Sequence, residues 1–134
     1  MRNSTGAVFL SRIDQLSSSE QITLKVASVI GPVFSLTLVC DIYPSGANKL
    51  QIADDMASLL RDNLVQTMQS ESTHLLSSRR SHAYQRGSIE ETRKSINALL
   101  NMKFVFVSAT VRELAYEQLT FTIRRSLHKK IAAW

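Results

Sequence analysis

The sequence contains little glycine and little proline, four and two residues respectively out of 134. A protein built on many tight turns needs these residue types, so their scarcity favours a helical fold. Hydrophobic residues make up 44% of the chain and charged residues 20%, which is ordinary for a globular protein and excludes wholesale disorder. A chain of this length has room for one domain, or for one small domain and part of another.

Cysteine is nearly absent as well. The single residue, Cys40, excludes an internal disulfide and a cysteine-based zinc site. Because it follows the apolar residues Leu38 and Val39, we predict a buried, unreactive thiol. The first residues do not resemble a signal peptide, and no run of about twenty apolar residues is available to span a bilayer. We therefore expect a cytoplasmic location and no membrane span.

The residues that ATP chemistry requires are missing too. The sequence has no Gly-x-x-x-x-Gly-Lys-Ser/Thr loop to hold phosphates. The acidic pairs Asp54-Asp55 and Glu90-Glu91 lie on predicted helices, where adjacent side chains diverge by about 100° and do not share a metal ion. We predict that both pairs lie on solvated helix faces, and we expect no catalytic residue.

The three histidines, His74, His82 and His128, have no Cys or His partner at ligand spacing. We predict that they are surface residues and that this chain binds no metal or cofactor. The net charge of +5 is spread over short groups such as Arg79-Arg80 and Lys129-Lys130, which indicates solvated faces rather than one binding surface.

The residues from Ile22 to Tyr43 are rich in Val, Ile, Leu and Thr, and resemble a β-hairpin at first sight. Local signals favour two helices instead. Ser17 and Glu20 have the spacing of a capping box, and Gly31-Pro32 supplies a stop that favours a left-handed glycine. Ser35 then caps a second, shorter helix. The inward residues predicted for the two helices are Ile22, Val26, Val29 and Ile30, then Leu38, Val39 and Ile42.

A third helix is predicted from Lys49 to Asp62, with Asp54, Asp55 and Arg61 outside its apolar stripe and Asn63 at its end. Its inward residues are Ile52, Ala53, Met56, Ala57, Leu59 and Leu60. A short strand at Leu64–Met68 is predicted to pair with Lys103–Val107. The fold predicted is mainly α and winged-helix-like, with a three-helix core and a short two-stranded wing.

The polar, serine-rich residues 69–87 show no period and predict a mobile loop. A capping box at Ser88–Glu91 predicts a helix after it, and two more helices are predicted after the second strand. Apolar positions define these three helices: Ile89, Ile96, Leu99 and Leu100; Val111, Leu114, Ala115 and Leu119; Ile123, Leu127, Ile131 and Trp134.

Two stretches resemble one family together. Residues 10–34 contain Arg-Ile-Asp-x-Leu and end a helix in Ala-Ser-Val-Ile-Gly, and residues 104–132 contain Arg-Glu-x-Ala-Tyr-Glu followed by Arg-Arg-x-Leu-His. Their order and spacing are similar to the segment after the signal-transducing (STAND-type) ATPase domain of the soluble (type 10) adenylyl cyclase family. The resemblance implies a parent with cyclase domains, an ATPase, this winged-helix segment and then helical repeats.

The resemblance implies these divisions: 1–16 as a linker from an ATPase core, 17–119 as the winged-helix-like domain, and 120–134 as the first, shortened helix of a helical-repeat region. Within that domain we expect a mobile insert at about 69–101. The expected function is a non-catalytic regulatory relay, whose partners are the parent's own ATPase and helical-repeat domains. ATP and magnesium belong to that parent, which makes cAMP, and none is expected in this chain.

Four residues on the family's last two helices are interface candidates: Arg112, Glu113, Tyr116 and Trp134. We expect Trp134 to be exposed in this chain. Ser108 stands where many relatives have a histidine, and a histidine at a comparable place contacts nucleotide phosphate in some signal-transducing ATPases. Ser108 offers one neutral hydrogen bond and no positive charge, so it is only a weak candidate for nucleotide binding.

Two other functions stay open. A nucleic-acid-binding winged helix is one, but its third helix would present Asp54 and Asp55 against a single Arg61, the wrong charge for DNA. Nucleic acid is therefore not an expected partner. The other is a protein-interaction adaptor, in which Arg79-Arg80-Ser81 is a phosphorylation or docking segment.

Overall fold

The computed structural model describes residues 4–44, 46, 48–68 and 89–134, and within them the protein is mainly helical. These residues form seven helices and one three-stranded antiparallel sheet. The elements in chain order are α1 (Ser4–Asp14), α2 (Ser18–Ile30), β1 (Val33–Ser35), α3 (Leu36–Ile42), α4 (Lys49–Arg61), β2 (Val65–Thr67), α5 (Ile89–Leu100), β3 (Lys103–Phe106), α6 (Ala109–Glu117) and α7 (Phe121–Ala133).

The sheet places β3 between its two partners, in the order β1-β3-β2. The predicted pairing of the second and third strands is confirmed, with Val65 opposite Phe106. The first strand, β1, was not predicted, because three extended residues between a Gly-Pro stop and a helix cap are too few to show a period. Its Phe34 lies opposite Phe104, and the two rings stack with centroids 5.9 Å apart. This aromatic pair joins the sheet to the helical core.

The start of α2 is the predicted capping box. The Ser17 hydroxyl accepts from the Glu20 backbone N–H, and the Glu20 carboxylate accepts from the Ser17 N–H at 3.0 Å. The end of α2 differs from the prediction, because Gly31 has φ +149° and ψ −175° rather than the left-handed helical conformation. That mirror-extended region is essentially restricted to glycine, and it turns the chain directly into β1.

Asn63 ends α4 as predicted. It has φ +59°, and its N–H donates to the Leu60 carbonyl while the Leu64 N–H donates to the Leu59 carbonyl. This pair of bonds is a Schellman motif, which satisfies carbonyls left open at a helix end. The chain leaves the motif into β2, so the helix stop also sets the direction of that strand.

The prediction for Asp55 is wrong. Asp54 is exposed, but Asp55 is only 2% exposed and faces α2. Its carboxylate accepts hydrogen bonds from the Ser19 hydroxyl at 2.6 Å, the Thr23 hydroxyl at 2.8 Å and the Gln51 amide at 3.0 Å. The reason is helical phase: Asp55 lies three residues after buried Ile52 and four before buried Leu59, on the inner face.

Residues 1–16, expected as a linker, include helix α1, whose Ile13 is fully buried and which packs against α6. Within the predicted insert, α5 packs on α3 and α4, and the Leu100 carbonyl accepts a bond from the Thr37 hydroxyl at 2.7 Å. The loop predicted at 69–87, the capping serine at 88, and the predicted surface positions of His74 and His82 lie outside the described residues. So do the side chains of Glu90 and Glu91.

Cys40 is buried in the core, as predicted, and is not part of a disulfide. Burial raises the pKa of its thiol, an effect that Lys49 opposes and Asp41 reinforces. A thiol with a raised pKa holds less of the reactive thiolate at neutral pH. The structure therefore supports packing as the role of Cys40.

Candidate interaction site at the last two helices

The residues that the sequence marks as interface candidates lie on α6 and α7, which a short turn connects. Helix α6 packs against α1 and α2, and α7 packs against α2 and α3. Leu127 is the buried anchor of α7, at 1% exposure, and Ile131 is half-buried beside the core. Both helices therefore rest on α2, the first helix of the core.

Arg112 attaches α6 to α2. Its Nε donates to the Ser28 carbonyl oxygen at 2.9 Å, and the residue is half-buried. Ser108 begins the same helix, since its hydroxyl accepts from the Val111 backbone N–H at 3.4 Å. The Ser108 oxygen thus serves as a helix cap, which is the common use of serine at this position. Glu113, on the same helix, is exposed.

Tyr116 is the centre of the contact between α6 and α7. The Arg124 guanidinium lies 4.4 Å from the Tyr116 ring centroid, and its Nε donates to the Tyr116 carbonyl oxygen at 3.1 Å. On the other side, the Tyr116 hydroxyl and His128 Nε2 form a hydrogen bond of 3.1 Å. We call these three residues the aromatic clamp. It links the two helices by a cation–π contact and by a hydrogen bond to the Tyr116 carbonyl, which also accepts from the Leu119 backbone N–H.

Trp134 lies at the opposite end of α7 from the clamp. The residue is 65% exposed, as expected from the sequence, and its ring N–H donates to an Asp41 carboxylate oxygen at 2.5 Å. Because Asp41 belongs to α3, this bond holds the end of α7 to the core. Tyr116 and Trp134 therefore tie the two ends of α7 separately and do not form one cluster.

Sequence reasoning missed four members of this site: Ser28, Asp41, Arg124 and His128. The spacing of Arg124 and His128 does carry a signal, because residues four apart on a helix lie on the same face. Ser28 and Asp41 carry none, since their contacts join residues 84 and 93 positions apart in the chain. His128 is exposed, as predicted.

The contacts of Arg112, Arg124 and Trp134 hold α6 and α7 to the core and to each other. In the described part of the chain, no group of three or more His, Cys, Asp or Glu residues is placed to hold a metal ion. No helix among the described residues has both the length and the apolar character of a membrane span. Neither a protein-family model, nor a curated protein, nor a solved structure matches this chain.

Proposed function

We propose that this chain is a non-catalytic relay module of winged-helix type in a soluble adenylyl cyclase-like protein, acting in the cytoplasm. Its proposed partners are the ATPase and helical-repeat domains of that parent, which synthesises cAMP from ATP with magnesium. The sequence motifs on α2, α6 and α7 supply the family. The order of the helices and strands supports the winged-helix type of the proposed module.

The order of elements is the observation that carries the proposal. A winged-helix domain has three core helices, with one strand between the first two and a β-hairpin after the third. Here β1 follows α2, β2 follows α4, and β3 lies between them in the sheet. On this proposal α2, α3 and α4 are the core, and the chain between β2 and β3 is the wing, lengthened by α5.

The relay acts through the contacts of α6 and α7. Arg112 joins α6 to the core, and the aromatic clamp joins α6 to α7. A neighbouring domain that docks differently in its ATP and ADP states biases the position of α6, and the clamp passes the bias to α7. Such coupling requires only a difference in docking free energy between the two states.

Nucleic-acid binding is the second candidate, and the burial of Asp55 bears on it. The exposed charges of α4 are Lys49, Asp54 and Arg61, so the helix is less acidic outside than its sequence indicates. The exposed charges of α4 therefore do not disfavour binding to DNA. They do not favour it either, because Lys49 and Arg61 lie at opposite ends of the helix.

Binding to the purified ATPase domain of a soluble adenylyl cyclase-like protein tests the proposal. Calorimetric titration with ATP and with ADP should give dissociation constants that differ by about tenfold, the usual size of coupling between sites. Equal affinity in both states, or none in either, contradicts the relay. A fluorescent DNA duplex in the same buffer tests the alternative, and duplex binding that Lys49→Glu with Arg61→Glu abolishes would favour it.

Two variants sharpen that experiment. Tyr116→Ala removes the centre of the clamp and should reduce the difference between the ATP and ADP states. Lys94→Ala, at an exposed position on α5, is the matched control and should leave the difference unchanged. The purified chain with ATP and magnesium should release neither cAMP nor ADP, because its sequence lacks a phosphate loop. Turnover that survives removal of contaminating enzymes contradicts the non-catalytic assignment.

A further inference from the structure

Helix α7 has a charge pattern that its packing does not explain. Its thirteen residues include four Lys or Arg and no Asp or Glu. Two of these basic residues, Arg125 and Lys129, are exposed and share one row of the helix surface with exposed Phe121, each four residues from the next. We call this row the outer ridge. It points away from the buried side of the helix, which Leu127 marks.

No carboxylate of the described residues neutralises the outer ridge. Among the residues that the structure describes, none forms an ion pair with Arg125 or Lys129. Two like charges four residues apart on a helix repel each other and lower its stability. The ridge therefore weakens the isolated helix.

The third member of the ridge is apolar. Phe121 is 75% exposed, more than any other large hydrophobic residue among those described. An aromatic ring beside two cations in one row resembles the centre of a protein interface, where aromatic and arginine side chains supply much of the binding energy. An exposed aromatic ring contributes nothing to a charged helix face that contacts only solvent.

We infer that the outer ridge of α7 binds an acidic helix of a partner protein. A helix with carboxylates four residues apart presents a complementary row to Arg125 and Lys129, and an apolar residue at the end of that row covers Phe121. This inference rests on the charges and exposure of α7, and does not depend on the family resemblance.

The surroundings of the ridge favour a narrow partner over an extended polyanion. Glu113 and Glu117 are exposed on α6, which precedes α7, and Asp41 is exposed on α3, against which α7 packs. Exposed carboxylates on the neighbouring helices make an extended polyanion, such as a DNA duplex or an anionic membrane, a poorer electrostatic match than a ligand confined to the ridge. A single acidic helix is about 10 Å across and contacts the ridge alone.

A designed peptide tests the inference on the full chain. The probe is a helical, alanine-based peptide about 15 residues long, matching the roughly 20 Å of α7, with glutamate at every fourth position and leucine at the end of that row. A peptide with glutamine in place of glutamate is its control. The acidic peptide should bind at least about tenfold more tightly, and its affinity should fall as salt is added.

Charge-reversal variants locate the binding. Arg125→Glu with Lys129→Glu should weaken binding by about tenfold or more, and Phe121→Ala by several-fold. Arg93→Glu with Lys94→Glu changes the net charge equally at two exposed positions of α5 and should weaken binding by less than about threefold. Circular dichroism and the melting temperature establish that each variant is folded.

Three results overturn the inference. An equal loss of affinity in the α5 variant means that net charge alone attracts the peptide. Tighter binding of a DNA duplex, or of vesicles containing phosphatidylserine, than of the acidic peptide assigns the ridge to another class of ligand. If the glutamate and glutamine peptides bind with equal affinity, or if neither binds, charge complementarity does not drive binding to the ridge.

Discussion

The core formed by α2, α3, α4 and the sheet differs from the junction of α6 and α7 in where its polar contacts lie. Asp55 is buried and receives three hydrogen bonds from α2 and α4. His128 and Trp134 are exposed, and their bonds to Tyr116 and Asp41 lie at the surface. Water replaces a surface bond readily but not a buried one. The junction is therefore the region that changes its arrangement at low free-energy cost.

Replacing Asp55 should have the largest effect on stability. Asp55→Ala removes the acceptor of the Ser19 and Thr23 hydroxyls and of the Gln51 amide, and of these three donors the Thr23 hydroxyl is fully buried. We expect the free energy of unfolding to fall by about 3 kcal/mol. Urea denaturation followed by circular dichroism measures it.

The neighbouring carboxylate is the matched control. Asp54→Ala changes an exposed residue on the same turn of α4 and should alter the free energy of unfolding by less than about 0.5 kcal/mol. If the two variants are equally stable, the buried contacts of Asp55 do not hold α4 to α2, and the contrast between core and junction fails.

Gly31 provides the next largest effect. Its φ of +149° and ψ of −175° are strained for any residue with a Cβ, although an added Cβ would meet only the Val33 carbonyl oxygen at an ordinary 3.8 Å. Gly31→Ala should therefore lower the free energy of unfolding by about 1–2 kcal/mol through the backbone alone. Thermal denaturation tests this, and an unchanged melting temperature would show that the turn adapts.

Much of the core could be predicted because its signals are local. The Ser17 and Ser35 caps and the Asn63 stop are read within a few residues, and they place α2, α3 and α4 correctly. The error at Asp55 was avoidable, since the period that buries Ile52 and Leu59 also turns Asp55 inward. Adjacent residues on a helix point about 100° apart, so Asp54 is exposed while Asp55 is buried.

Fewer contacts of the α6–α7 junction could be predicted from the sequence. The sequence Arg-Glu-x-Ala-Tyr-Glu contains Arg112 and Tyr116, but the contacts of these two residues depend on how distant segments meet. No pattern in the sequence brings Arg112 to Ser28 or Trp134 to Asp41, because tertiary packing sets both contacts. The exposure of Trp134 was expected, whereas its hydrogen bond was not. Its role as an interface anchor stays a prediction.

The aromatic clamp should give a smaller stability effect than either core position. Arg124→Ala removes the cation–π contact and the bond to the Tyr116 carbonyl, and should cost about 1 kcal/mol of unfolding free energy. Tyr116→Phe removes only the hydroxyl bond to His128 and should cost less than about 0.5 kcal/mol.

Arg125→Ala is the control for the clamp, because Arg125 is exposed and adjacent to Arg124. Its melting temperature should equal or slightly exceed that of the unmodified chain, because the substitution also removes the repulsion from Lys129. The single tryptophan adds a local readout at the far end of α7: its emission should be red-shifted and open to acrylamide quenching. A loss above about 2 kcal/mol for Arg124→Ala would place the junction among the rigid parts of the molecule.

The smallest effect is the pH dependence that Glu20 contributes at the start of α2. The bond from the Ser17 backbone N–H lowers the pKa of Glu20 below its usual 4.5; burial opposes this, and Ser58 and Arg61 add to it. A carboxyl with a lowered folded-state pKa contributes stability that is complete above the unfolded pKa and is lost as pH falls through the folded one. The free energy of unfolding should therefore decrease as the pH is lowered below 4.5.

Glu20→Gln isolates this contribution, since its amide oxygen still accepts from Ser17 but no longer titrates. Urea denaturation measures the unfolding free energy of both chains between about pH 6 and pH 3, and the difference between the two curves cancels the effect of every other carboxylate. The unmodified chain should be the more stable near pH 6, and the two curves should converge as Glu20 becomes protonated. Parallel curves would mean that the Ser17 bond does not favour the charged form, and the capping box would then act through its hydrogen-bond geometry alone.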